Sequence, residues 1–153
     1  VQVMHAGWDQ HRSVTTELYT QCKDTDQPSA GLLRDLKQRG LLDDTLIIWG
    51  GEFGRTPFLQ GDMKNRKQWG RDHHPYAFTT WMAGGGVRPG ITYGASDALG
   101  MNATESPVHV HDFQATLLHQ FGIDYQKLLF FHNGQQQQLT NGRPARVVKD
   151  ILS

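Results

Sequence analysis

Cysteine is nearly absent from this chain: Cys22 stands alone, which excludes an internal disulfide and a cysteine-rich zinc cluster. A charge excess of one sign is missing too. Lys and Arg number 15 and Asp and Glu number 15, whereas a dedicated nucleic-acid binder or a polybasic membrane-surface protein needs a cationic surplus. No apolar run approaches the roughly 20 residues of a membrane-spanning helix, and mean hydropathy is -0.55. No internal repeat and no linker divides the 153 residues. The expectation is a single domain, 1–153, with one core.

What the chain does have is glycine and histidine, 17 and 8 respectively, and many of them fall close together. It opens on Val1-Gln2-Val3-Met4, which reads as a strand already in progress. The expectation is therefore that the N-terminal part of a longer domain is missing.

Hydrophobic spacing divides the rest into alternating elements. Val14, Leu18 and Tyr19 suggest a weak helix. A better helix signal starts at an Asp26 cap with Pro28 in its first turn, continues through Ala30, Leu33 and Leu36, and stops at Gly40. Thr45-Leu46-Ile47-Ile48-Trp49 is a continuous β-branched run, the pattern of a strand buried on both faces of a parallel sheet. A long polar loop over residues 58–75 precedes a second such strand, Ala77 to Ala83, stopped by Gly84-Gly85-Gly86. Residues 87–108 read as loop with a short hairpin. A second helix is expected from an Asp112 cap to Gly122, with Phe113, Thr116, Leu117 and Phe121 on one face. Asn133-Gly134 reads as a turn before the Gln135 to Gln138 run, and a further turn at Asn141-Gly142 predicts a terminal hairpin. This alternation predicts an α/β layered domain with a mainly parallel sheet, whose ligands gather at the carboxyl ends of strands.

Three polar turns carry the groups able to do chemistry. Asp9 and His11, two apart, project from the same face of an extended segment and can bite one cation. Glu52 follows the strongest strand among glycines, and it reads either as a ligand or as a carboxylate complementing a helix N-terminus. Asp72, His73 and His74 add a carboxylate and two imidazoles. Together they form a mixed nitrogen and oxygen set suited to a divalent ion: Zn, Mn, Fe or Ca. Arg55 suggests either an anion pocket for sulfate, phosphate or carboxylate or a structural salt bridge. Gly84-Gly85-Gly86 lacks the Lys-Ser/Thr of a phosphate loop. His109 and His111 read as structural beside Asp112, and Cys22 as inert. Trp8 and Trp69 lie in the candidate loops, where a sugar ring could stack.

The segments Gly50-Gly51-Glu52-Phe53-Gly54-Arg55-Thr56-Pro57 and Gly70-Arg71-Asp72-His73-His74-Pro75 resemble a sulfatase-like family, domain of unknown function family 1501. So do Gly7-Trp8-Asp9-Gln10-His11, Trp81 to Val87 and His109 to Thr116. Its members are bacterial and often exported, and the family is similar to the alkaline phosphatase-like superfamily. The resemblance implies a three-layer α/β/α sandwich with a metal-centred site acting on a sulfate or phosphate ester. It places Asp9 and His11 on one metal. It also likens Asp112 to Gly122 to the superfamily's late Asp-x-x-Pro-Thr helix, with Ala115 for the proline. Where sulfatases show Asp-His, this chain has Glu52-Phe53, so His73 or His74 is expected to replace the lost imidazole. The nucleophile is expected upstream of Val1.

The functional expectation is metal-assisted hydrolysis of a small-molecule or polysaccharide ester in the periplasm or another exported compartment. Asp9, His11, Glu52, His73 and His74 would serve as ligands, with Arg55 on a non-bridging oxygen. The alternative is a catalytically inactive binding or surface-assembly protein of the same family. A glycan- or peptide-binding module built on Trp8 and Trp69 is the third reading.

Overall fold

The computed structural model describes residues Val1–Ser153. Two helices and four separate two-stranded sheets make up its regular structure. Helix α1 spans Val14–Gln38 and helix α2 spans Val110–Gln120. The strands are β1 (Ile47–Trp49), β2 (Gly54–Arg55), β3 (His73–His74), β4 (Trp81–Ala83), β5 (Ala95–Ser96), β6 (Ala103–Glu105), β7 (Leu129–His132) and β8 (Gln135–Gln138). Short 3-10 turns occupy Arg66–Gln68 and Lys149–Ile151.

This overturns the expected three-layer α/β/α sandwich with a mainly parallel sheet. The four sheets pair β1 with β4, β2 with β3, β5 with β6 and β7 with β8, and every pairing is antiparallel. Strands of two to four residues cannot support a layer, and α1 buries no residue. The physical reason for the error lies in β1. A continuous apolar run shows that a segment is strand-like but carries no sign of its partner's direction. Here Ile47, Ile48 and Trp49 pair with Ala83, Met82 and Trp81, and Ile48 and Trp49 remain exposed.

Other boundaries differ as well. Val1 to Met4 is exposed, irregular chain rather than a strand. The weak helix read from Val14, Leu18 and Tyr19 and the stronger one read from an Asp26 cap are a single helix: α1 runs unbroken from Val14 through Asp26 and Pro28 to Gln38. Its first donors are satisfied from outside, since the Ser13 and Val14 backbone N–H groups donate to Lys67 O (3.1 Å) and Trp69 O (2.9 Å). Helix α2 is capped by His109, and Asp112 sits inside its first turn. There the Asp112 carboxylate accepts the His109 N–H (3.2 Å), while His109 Nδ1 accepts the His111 N–H (3.2 Å), a reciprocal box of the kind Ser and Glu usually make. The terminal hairpin expected at Asn141-Gly142 forms instead at Asn133-Gly134, between β7 and β8, where φ angles of 49° and 78° suit a two-residue turn. Asn141-Gly142 turns without paired strands.

The core is small. Ala115 and Val148 are its fully buried apolar residues, packed with Thr116. The Thr116 hydroxyl donates to Asp112 O (2.7 Å) and accepts the Val148 N–H (3.0 Å), tying α2 to the C-terminal segment. A second tie comes from Asp112 Oδ1, which accepts the Arg146 N–H (2.9 Å).

Candidate metal centre

The site is assembled where residues 7–13 meet the loop over residues 52–74. Three backbone hydrogen bonds join the two segments: Arg71 N–H to Gln10 O (3.0 Å) and the two α1 donors described above. Gly70 makes the approach possible, because a Cβ there would collide with the His11 carbonyl and the Arg12 nitrogen. The loop is closed on itself by paired bonds between Gln60 and Gly70, at 2.8 and 2.9 Å.

Asp9 and His11 meet through a tight turn rather than strand geometry. The His11 N–H donates to Asp9 O (2.9 Å), and His11 Nε2 lies 3.0 Å from Asp9 Oδ1. From the other side, the β2–β3 register sets Arg55 opposite His73 and Gly54 opposite His74. Successive strand residues face opposite ways, so the two histidines part company. His73 turns toward Asp9, with Nε2 3.2 Å from Asp9 Oδ1 and 3.2 Å from His11 Nε2. His74 is buried, with Nε2 2.6 Å from Met101 O, and packs edge-on against Tyr76.

Asp9, His11 and His73 thus present three ligand atoms to one point. Atoms separated by 3.0–3.2 Å can all lie about 2.0–2.2 Å from a common centre, the range of zinc–nitrogen and zinc–oxygen bonds. The donor set therefore fits a divalent ion. Glu52 stands behind this trio: its Oε1 lies 2.8 Å from His73 Nδ1, the position of a group that orients a ligand rather than of a ligand. His11 Nδ1 is likewise engaged, 2.8 Å from Gln60 Oε1.

Arg55 holds the pieces together. Its Nη2 donates to Asp9 Oδ1 (2.8 Å) and Trp8 O (2.8 Å), and it lies 3.8 Å from Glu52 Oε1. The hydrogen bond from Arg55 holds the Asp9 carboxyl below the usual aspartate range, and the neighbouring His11 and His73 act in the same direction. Glu52 is lowered by its own backbone N–H and then by the His73 ring. Both carboxylates are anionic at neutral pH and open to solvent, so the centre is reachable.

The aromatic residues are arranged beside the site. Trp8 meets Trp49 edge-on at 5.9 Å, and Trp49 stacks on Trp81 at 6.2 Å, as their pairing register requires. Trp69 is occupied locally: Arg66 lies over its ring and its Nε1–H donates to Met63 O (3.2 Å). Sequence reading missed Gln60. It sits in a polar loop with no motif around it, and only the fold brings it to His11, 49 residues away.

The chain matches the family described as Protein of unknown function (DUF1501) over residues 1–152, and it belongs to that family. No curated protein and no solved structure matches it significantly.

Proposed function

We propose that this member of the 1501 family holds one divalent cation on Asp9, His11 and His73, and that the centre serves a hydrolase of sulfate or phosphate esters. The convergence of Asp9 Oδ1, His11 Nε2 and His73 Nε2 within 3.2 Å carries this reading. Three protein ligands leave coordination positions open, the pattern of catalytic rather than structural sites. A cation bound there supplies charge neutralisation and polarisation of an ester oxygen. The protein's own groups do the rest. Asp9 contributes the anionic ligand, kept deprotonated by Arg55. Glu52 fixes the His73 ring. Arg55 is half-buried, with Nη2 committed to Trp8 O and Asp9 Oδ1 and Nη1 to Arg71 O; its remaining N–H groups would grip a non-bridging ester oxygen. The sulfatase-like kinship, the polysaccharide ester as substrate and the exported compartment belong to this proposal through the sequence resemblance. They concern chemistry and setting, not architecture.

Elemental analysis of the purified chain, after incubation with Zn, Mn, Fe or Ca, tests the reading. We expect about one ion per chain in the wild type and loss of that ion in Asp9→Asn and His73→Ala. Absence of stoichiometric metal in the wild type with all four ions would refute it.

A second reading, a binding or surface-assembly protein without catalysis, is favoured by Thr56. This hydroxyl, the nearest to Arg55 in sequence, is buried, donates to Phe58 O (3.1 Å) and accepts the Asp72 N–H (3.2 Å). It is therefore committed to structure and not poised as a nucleophile. Retention of metal and of ester binding with no turnover of aryl sulfates or phosphates would select this reading.

A further inference from the structure

We infer that Gln60 is a positioning residue that biases the tautomer of His11 toward a proton on Nδ1, which frees the Nε2 lone pair for the centre shared with Asp9 and His73. The inference rests on the metal reading above for its purpose but not for its geometry.

The argument follows from what each ring nitrogen faces. Neutral imidazole carries one N–H and one lone pair, and the partner of one nitrogen decides which is which. His11 Nδ1 lies 2.8 Å from the Gln60 side-chain carbonyl oxygen, an acceptor. The Asp72 carboxylate stands on the same side but 3.7 Å away, beyond hydrogen-bond reach, and Asp72 Oδ1 already accepts the His73 N–H at 2.8 Å. Gln60 is therefore the acceptor on the Nδ1 side, while on the other side the anionic Asp9 Oδ1, 3.0 Å from Nε2, competes for the same proton. Gln60 is the group that draws the proton to Nδ1 and frees the Nε2 lone pair for the centre shared with His73. His73 repeats the pattern with Glu52 on its Nδ1 at 2.8 Å. The two rings are thus set alike, each by an oxygen acceptor behind it, one amide and one carboxylate. Without such setting, two facing Nε2 atoms 3.2 Å apart relax by placing a proton on one of them, which makes that ring a donor and removes it as a ligand. Ligating histidines characteristically donate their second nitrogen to an oxygen in this way, and loss of that partner weakens metal binding by roughly 10–100-fold.

Gln60 is itself held rigidly, since its backbone N–H and C=O both pair with Gly70. Substituting its side chain leaves those bonds in place. The loop that carries it also caps α1, so the orientation of His11 is linked to the start of that helix.

The test is long-range proton–nitrogen correlation NMR on the metal-free full chain with labelled histidine, at about pH 8.5, well above the ordinary histidine pKa of about 6.5. The wild type should show a larger Nδ1–H population on His11 than a variant without the Gln60 acceptor. Gln60→Leu should move the ring toward the Nε2–H form, and Gln60→Glu, which keeps an acceptor, should restore the wild-type pattern. Titration with zinc alone should then show Gln60→Leu binding about 10–100-fold more weakly and Gln60→Glu binding like the wild type. A Gln60→Leu variant whose His11 tautomer ratio is unchanged from the wild type would overturn the inference even if zinc binds. A wild type that binds none of Zn, Mn, Fe or Ca, with the predicted tautomer shift still seen in Gln60→Leu, would refute the metal reading and leave the role of Gln60 standing.

Discussion

Gly70 is buried at the place where the two site segments touch, and the distance there is set by the absence of a side chain. A methyl group at this position meets backbone of His11 and Arg12, which cannot rotate away as a flexible side chain could. Gly70→Ala should therefore destabilise the chain by about 1–3 kcal/mol, the usual cost of overpacking, and should lower cation affinity more than Gln60→Leu does. Equilibrium denaturation and zinc titration check both halves, and an unchanged affinity would show that the segments approach by another route. Asp97 offers a residue-scale pH effect away from the site. Its carboxylate accepts the Met101 N–H and then the side chain and backbone of Asn102 and the backbone of Leu99, and these bonds hold its pKa below the ordinary value. The folded turn therefore binds a proton less readily than the unfolded chain does. The stabilisation is complete above the ordinary aspartate value of about 3.9 and is lost as pH falls from there through the folded-state value. Amide shifts of Met101 and Asn102 should report a transition in that acid range, and Asp97→Asn should abolish it. A transition that survives the substitution assigns it to another group.

Elements show which parts of the molecule could be read in advance. The Asn133-Gly134 turn was legible because its residue types accept the positive φ of a tight loop, but the hairpin was expected at the identical dipeptide Asn141-Gly142, since the turn residues alone do not say which pair has strands to join. The hairpin within residues 87–108 and the body of α2 were legible from the same local rules. Local rules failed where distant residues decide the outcome. The weak helix at Val14 and the stronger one after Asp26 join into one α1, whose start is held by carbonyls of Lys67 and Trp69, more than fifty residues downstream. Strand β1 runs antiparallel because of a partner 32 residues on, which no periodicity encodes. Of the expected site residues, Asp9, His11 and His73 converge, Glu52 and Arg55 surround them, and His74 faces the opposite side of β3. The choice between adjacent histidines depended on register, which is visible only once β2 is paired. Helix α2 gives the element-scale prediction. Thr116→Val fills the same space but leaves the buried Val148 N–H without an acceptor, so it should cost about 1–3 kcal/mol. Thr116→Ser should retain that hydrogen bond and cost less. Equal losses in the two variants would show that packing of the methyl group, not the hydroxyl, holds α2 to the C-terminal segment.

The whole molecule exposes 11480 Å², whereas an average folded monomer of 17.3 kDa exposes about 7,800 Å². The excess includes large apolar side chains such as Trp49, Phe53, Phe58, Phe78 and Phe131. It is of the size that obligate interfaces bury, about 2,000–5,000 Å². The isolated chain should therefore self-associate as concentration rises, seen as mass growth in light scattering. A monodisperse monomer with a cooperative melt would contradict this. The small core also changes what the centre means for the chain. His11 and His73 are 62 residues apart in sequence, and the segment before α1 has no strand or helix of its own. A cation shared by these residues would act as a reversible cross-link in a protein whose lone cysteine cannot form an internal one. A chelator would then do here, in part, what a reductant does to a disulfide-stapled domain: loosen residues 1–12, left to the Arg55 bonds with Trp8 and Asp9 and the Arg71–Gln10 bond, and make them more open to proteases, while leaving α2 and its contacts with the C-terminal segment closed.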